Sequence, residues 1–117
     1  MANTLYSIAF VTISGKDKAD ALASELVNVR LAACVNVIGG VSSVYRWKEK
    51  IEHADELMLV IKTRTDVIPE LCEHVRKNHP STVPEVITLP IAGGHAPYLD
   101  WLGANTRFSA AGRRERL

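Results

Sequence analysis

The chain has 117 residues, 47% hydrophobic and 23% charged, enough for one domain whose core needs no staples. Lys and Arg total 14 against 13 Asp and Glu, so the basic excess of a nucleic-acid binder is missing. No run approaches the ~20 apolar residues of a membrane helix, and the start, Met1 to Ser7, lacks the basic stretch and apolar core of a secretory signal.

Leu5 to Ile13 is β-branched, apolar and uncharged, and reads as a largely buried strand. Ser14 with Asp17 matches a capping box. After it, Ala19, Leu22, Ala23, Leu26 and Arg30 fall on a 3.6-residue stripe, predicting an amphipathic helix of about four turns. Leu31 to Trp47 is rich in β-formers and interrupted only by Gly39 and Gly40. As one strand of about 14 residues it would span on the order of 45 Å, against a radius of gyration of ~13 Å for a compact chain of this length. Such a strand must leave its own domain and lie on another surface. The glycine pair is expected to be a bulge or bend where it does so.

Lys48 to Asp55 is polar and reads as a hairpin tip in water. Glu56 to Thr63 is the third strand, with Leu57, Leu59 and Ile61 on one face and Met58, Val60 and Lys62 on the other. Thr65 or Asp66 is the expected N-cap of a second helix that tolerates Pro69 in its first turn and stops before Pro80. Its apolar stripe is Ile68, Leu71, Cys72, Val75 and His79. Pro84 to Ile91 is a fourth strand, and Pro90 places it at an edge. Gly93 and Gly94 turn the chain into a short helix, Tyr98 to Asn105, with Leu99 and Leu102 inward. Residues 1–108 form one expected domain and 109–117 a flexible tail, whose basic end (Arg113, Arg114, Arg116) reads as a solvated terminus.

The element order is βαββαβ, the α+β ferredoxin-like split pattern. It predicts one antiparallel sheet with both helices on one face. The other face, carrying Met58 and Val60, would be bare and apolar, which marks an interface. The bare face and the projecting hairpin both predict an oligomer.

Chemistry-bearing motifs are sparse. Cys34, Cys72, His53, His74, His79 and His95 form neither Cys-x-x-Cys nor His-x-x-x-His. Cys72 sits on an apolar stripe and reads as core filler. Both thiols are expected to be free, as in the cytoplasm. No nucleophile elbow, Walker loop or dinucleotide fingerprint occurs, so no catalytic residues are assigned. Tyr45 and Trp47 alternate on one strand face, and Trp101 sits in the last helix. They suit a subunit interface or a stacking platform. Lys62 interrupts an apolar strand, and its ammonium needs a partner, Glu85 or Glu56.

The segments Arg30-Leu-Ala-Ala-Cys-Val-Asn36, Ser43-Val-Tyr-Arg-Trp47, Ile61-Lys-Thr63, His79-Pro80, Val83-Pro-Glu85, Leu89-Pro-Ile91 and Tyr98-Leu-Asp-Trp101 resemble the CutA divalent-cation tolerance proteins, in family order, over about residues 5 to 106. The resemblance implies a ferredoxin-like homotrimer whose hairpins wrap neighbouring subunits. It also implies likeness to trimeric PII signalling proteins and a part in tolerance to copper and other divalent cations. It brings no established reaction. Two departures bear on metal binding: Ser81 and Thr82 stand where many relatives have Tyr and Glu or Gln, and Val11 to Ile13 lacks a cysteine that some bacterial relatives carry.

The resulting expectation is a cytoplasmic, non-catalytic homotrimer without a tightly bound cofactor, without a nucleic-acid or membrane partner. Its intersubunit clefts would bind Cu or Zn through Cys34, His79 and Glu85, beside Lys62, Tyr45, Trp47 and Trp101. The alternative is a PII-like signalling or scaffold trimer that takes a small anion near Gly93, Gly94 and Lys62, or a partner protein.

Overall fold

A computed structural model of the chain describes residues 5–109. Of the expected tail, all but Ser109 lies outside the described residues. The elements are β1 (Tyr6–Ile13), α1 (Lys16–Asn28), β2 (Cys34–Trp47), β3 (Lys50–Arg64), a 3-10 turn (Thr65–Val67), α2 (Ile68–Asn78), β4 (Ile87–Pro90) and α3 (Ala96–Ala104). The strands form one antiparallel sheet in the order β2-β3-β1-β4, the ferredoxin-like arrangement expected from the element order.

The period-2 pattern of the strands builds the core. Along β1 every second residue is buried: Ser7, Ala9, Val11 and Ile13. Leu59, Ile61 and Thr63 of β3 join them, together with Ala19, Leu22, Ala23 and Leu26 of α1 and Leu71 and Val75 of α2. The Thr63 hydroxyl donates to the Leu31 carbonyl at 2.6 Å, satisfying a buried acceptor just beyond α1.

Three helix details differ from the sequence reading, each for a local reason. The α1 N-cap is Gly15, and no side chain caps it; the capping box of Ser14 and Asp17 is not made. Arg30, expected on the α1 stripe, lies beyond the helix end and is exposed, with φ 62°. Its N–H bonds the Val27 carbonyl, and the Leu31 N–H bonds the Leu26 carbonyl, a Schellman closure with an arginine where glycine is usual. At α2 the 3-10 turn comes first, so Val67 is the N-cap. The Thr65 hydroxyl instead pairs with the Ser7 hydroxyl at 2.7 Å.

The hairpin is more regular than its polarity suggested. Lys50 to Asp55 are not a solvated tip but the first part of β3, paired with Ser42 to Trp47 of β2. Only Lys48 and Glu49 form the turn, with φ 51° and 67°. Two positive φ values in a two-residue loop are those of a type I′ turn, which favours Asn-Gly. We therefore expect the double substitution Lys48→Asn, Glu49→Gly to raise unfolding stability by ~1 kcal/mol or more, read as a higher urea midpoint at unchanged slope. An unchanged or lower midpoint would count against the strained turn.

The arm makes the chain long, 48 × 29 × 29 Å, with a radius of gyration of 15.1 Å. The expected bulge is present: pairing runs Ile38↔Met58, then Val41↔Glu56, so Gly39 and Gly40 together oppose Leu57. Gly40 has φ +75°, open to glycine and costly for most other residues. The extra residue reverses the alternation of β2. Cys34, Asn36 and Ile38 therefore share a sheet face with Val41, Ser43, Tyr45 and Trp47, although the first three are even-numbered and the others odd.

β4 is shorter than expected, four exposed residues at the sheet edge, with Pro90 opposite Ser7. α3 begins two residues earlier than expected and is held by Arg64, whose Nη2 donates to the Gly103 carbonyl at 2.9 Å and whose Nε donates to the Thr106 carbonyl at 3.3 Å. The guanidinium also lies over the rings of Phe108 (4.2 Å) and Tyr6 (5.9 Å). Leu102 is fully buried, while Leu99 is only partly so.

Candidate functional site

The sheet face away from the helices carries the candidate residues. Its rows follow from the strand register: Cys34, Lys62, Ile8 and Leu89; then Asn36, Val60, Phe10 and Ile87; then Ile38, Met58 and Thr12. Ile87, Leu89 and Ile38 are 58%, 55% and 49% exposed. The face is apolar and open, as the sequence pattern predicted.

Lys62 breaks it, and its partners are not the expected carboxylates. The ammonium donates to the Asn36 side-chain oxygen and lies 3.9 Å from the Cys34 sulfur; neither Glu56 nor Glu85 forms an ion pair with it. Cross-strand register explains this: Cys34 is directly opposite Lys62, and Asn36 is one same-face step further along. Sequence reasoning passed over Asn36, although its spacing from Cys34 was the available signal.

A second group lies further along the sheet. Thr12, Ser43, Tyr45, Trp47, Glu56 and the segment His79 to Glu85 line a cavity of about 780 Å³ between the arm and the loop leading to β4. His79 Nε2 donates to the Thr12 carbonyl at 2.7 Å, and its Nδ1 accepts the Ser81 N–H at 3.0 Å. Both ring nitrogens are thus occupied, and they pin the loop to the end of β1. Thr12 was not singled out from the sequence, and Glu56 only as a partner for Lys62, because the closeness of this loop to the arm is a product of the tertiary fold.

The structure therefore joins His79, Glu85, Tyr45 and Trp47 and leaves Cys34 with Lys62. The Ile8 and Thr12 rows, to which the two groups belong, are four residues apart on β1, ~13 Å along the strand. Within one chain Cys34, His79 and Glu85 do not meet, and no three His, Cys, Asp or Glu are placed to hold a metal among the described residues. Trp101 belongs to neither group; its ring lies 5.4 Å from that of Tyr98 on α3.

Two groups owe a raised value first to burial. Burial pushes the Cys72 thiol above its usual 9.0. The Tyr98 phenol is raised above 10.0, first by burial and then by the charge of Cys34. A raised folded-state value favours the neutral form in the native protein. That stabilisation is complete below the unfolded value and disappears as pH rises through the folded one. Stability measured in urea should therefore fall above about pH 9, and Cys72→Ala should flatten the first part of the decline. An unchanged slope would remove Cys72 as its source.

No described helix is long and apolar enough to cross a membrane. The sequence profile of the CutA1 divalent ion tolerance protein family matches residues 7–105. The divalent-cation tolerance protein CutA of Thermus thermophilus is 46% identical over 99 residues, 85% of this chain and 96% of that protein. The chloroplastic Protein CutA 1 of rice is 45% identical over 87% of this chain, which spans 58% of that longer protein. The crystal structure of CutA1 from Oryza sativa superimposes with a TM-score of 0.87 at 45% identity, covering 91% of this chain and 98% of that one. Profile, identity and fold agree: the chain belongs to the CutA1 divalent ion tolerance protein family.

Proposed function

We propose that the chain serves divalent-cation tolerance as a non-catalytic cytoplasmic homotrimer, with Cu or Zn bound by groups drawn from more than one chain. The observation that carries the assembly is the arm. Val44 (61% exposed) and Ile51 (56%) lie on one of its faces, Tyr45 and Trp47 on the other. A two-stranded ribbon in water is marginal by itself, and this one carries large exposed apolar side chains on both faces. Neighbouring copies would cover it together with the open sheet face. The same assembly would bring Cys34 of one chain towards His79 and Glu85 of another, with His79 Nδ1 exchanging its bond from the Ser81 N–H for the metal, a donor set that suits Cu or Zn better than Mg. Two free thiols support a reducing compartment.

Sedimentation equilibrium tests the assembly. A trimer is expected that loses folded structure on dilution instead of releasing a compact monomer; a stable monomer would sink the reading. Calorimetric titration with Cu²⁺ and Zn²⁺ tests the metal. Binding should exceed that of a free histidine-containing peptide, and it should weaken in Cys34→Ser.

Lys62 supports a second reading, a PII-like trimer binding a small anion. Its half-buried ammonium has a thiol and an amide for neighbours but no carboxylate. Nucleotides or organic anions would then raise the melting temperature, and Lys62→Met would abolish the rise.

A further inference from the structure

The start of β2 holds a thiol and an amine in a fixed relation within one chain. Cys34 is directly opposite Lys62 in the β2–β3 ladder, and both side chains are half-buried. Two bonds pin the backbone here: the Ala33 N–H donates to the Lys62 carbonyl at 2.9 Å, and the Thr63 hydroxyl donates to the Leu31 carbonyl at 2.6 Å. Lys62 Nζ lies 3.9 Å from Cys34 Sγ, and the Asn36 side-chain oxygen accepts from both groups, from the thiol at 4.0 Å. No carboxylate pairs with Lys62 among the described residues, so no ion pair has to break to free its nitrogen. The other thiol, Cys72, is on α2, which packs against the opposite face of the sheet.

A peroxide turns a thiol into a sulfenic acid, which then condenses with a neighbouring thiol or nitrogen. Cys34 has no thiol beside it in its own chain, but it has the Lys62 nitrogen. Strand register delivers that nitrogen, and a held nucleophile reacts ahead of solutes that must diffuse in.

We propose that Cys34 and Lys62 close a reversible sulfur–nitrogen bridge when hydrogen peroxide oxidises the thiol. In the first step the thiol takes one peroxide oxygen, giving a sulfenic acid and water; sulfur loses two electrons and the O–O bond accepts them. In the second step the Lys62 nitrogen attacks that sulfur. The S–N bond forms, the S–O bond breaks, and hydroxide leaves. The ammonium gives up two protons in all, one to the hydroxide, making water, and one to solvent. Two equivalents of a small thiol reverse the bridge, restoring thiol and amine and leaving as their own disulfide. Peroxide is smaller than the hydrated cation that the proposed function admits to Cys34, so the assembly that takes the metal also admits the oxidant. A bridged Cys34 cannot ligate metal, which makes the pair a redox gate on that site; only this consequence rests on the metal reading.

The test treats the full-length protein, in its native oligomeric state, with hydrogen peroxide and digests it with trypsin in the absence of reductant. Cleavage stops at a bridged lysine, so residues 31–46 should appear joined to residues 51–64, two hydrogens lighter than the two peptides together. Dithiothreitol should separate them and restore cleavage after Lys62. Lys62→Arg keeps the charge without the amine. Its Cys34 should proceed to sulfinic or sulfonic acid, which dithiothreitol does not reverse. Cys34→Ser should give no joined peptide. Two outcomes would overturn the proposal: Cys34 oxidised while the Lys62 peptide stays free, or Cys34 left as a thiol under peroxide that oxidises a free cysteine peptide in the same vessel. If the metal reading also holds, the bridged protein should bind Cu²⁺ or Zn²⁺ about tenfold more weakly or less. A reduced protein that binds neither metal would fail that reading and leave the peptide masses, and so the bridge, untouched.

Discussion

Gly103→Val, at a buried position of α3, should lower stability by about 3 kcal/mol and the melting temperature by on the order of 10 °C. A Cβ at Gly103 would stand 2.5 Å from the Tyr6 hydroxyl and 3.2 Å from Arg64 Nη2. Arg64 is the anchor of this helix, bonding the Gly103 and Thr106 carbonyls. Any side chain at position 103 therefore pushes against the contacts that dock α3 and bury Leu102. Gly103→Ala should show a smaller loss in the same direction. Gly93→Ala is the control, because nothing lies within 4 Å of that position. Equal thermal stability of the Gly103 and Gly93 variants would show that the close approach carries no energetic weight.

Gly40→Val should disable the arm. At φ +75° a β-branched residue is strained, and the relaxed alternative pairs Gly39 with Leu57 and residue 40 with Glu56, which shifts the register by one and turns every later side chain of β2 to the other face. Tyr45 and Trp47 would then exchange places with Val44 and Arg46. The cavity loses both aromatic walls, and the apolar surfaces proposed to meet neighbouring chains are reversed. Roughly half of each aromatic remains exposed in a single chain, and burying that area for the pair is worth at most ~5 kcal/mol per chain. We expect the substituted protein to lose the parent assembly in sedimentation and, with it, its folded circular dichroism at concentrations where the parent stays folded. Gly39→Ala, which meets nothing within 4 Å, should behave as the parent. A Gly40→Val protein that assembles normally would refute the role of the bulge.

These expectations mark what could be read along the chain. Periodicity was sufficient for most of the core: alternation in β3 and the 3.6-residue stripes of both main helices correspond to the buried residues, since burial of a repeating face dominates local preference, whereas β1 read as an apolar run and its alternate burial appeared only in the fold. Sequence pattern was also sufficient for the element order, the edge position of β4 and the glycine bulge. Local polarity misled at residues 50–55, where a charged stretch proved to be paired strand, because backbone pairing is indifferent to side chains that point into solvent. Local capping signals misled at Ser14 and Thr65, because the Thr65 hydroxyl had a tertiary partner in Ser7 and Gly15 took the α1 cap.

The candidate site was legible by residue but not by grouping. Glu85 and Glu56 were expected beside Lys62, yet the strand register puts Asn36 and Cys34 there. His79 and Glu85 instead meet Thr12, Tyr45 and Trp47 around one cavity. By itself, the sequence determined the ferredoxin-like order, the core and the long arm, because each depends on periodicities a few residues long. Only the tertiary structure decided which side chains share a site. That choice depends on strand register and on the single extra residue at the bulge, which set neighbours far apart in the chain and leave no trace in local spacing.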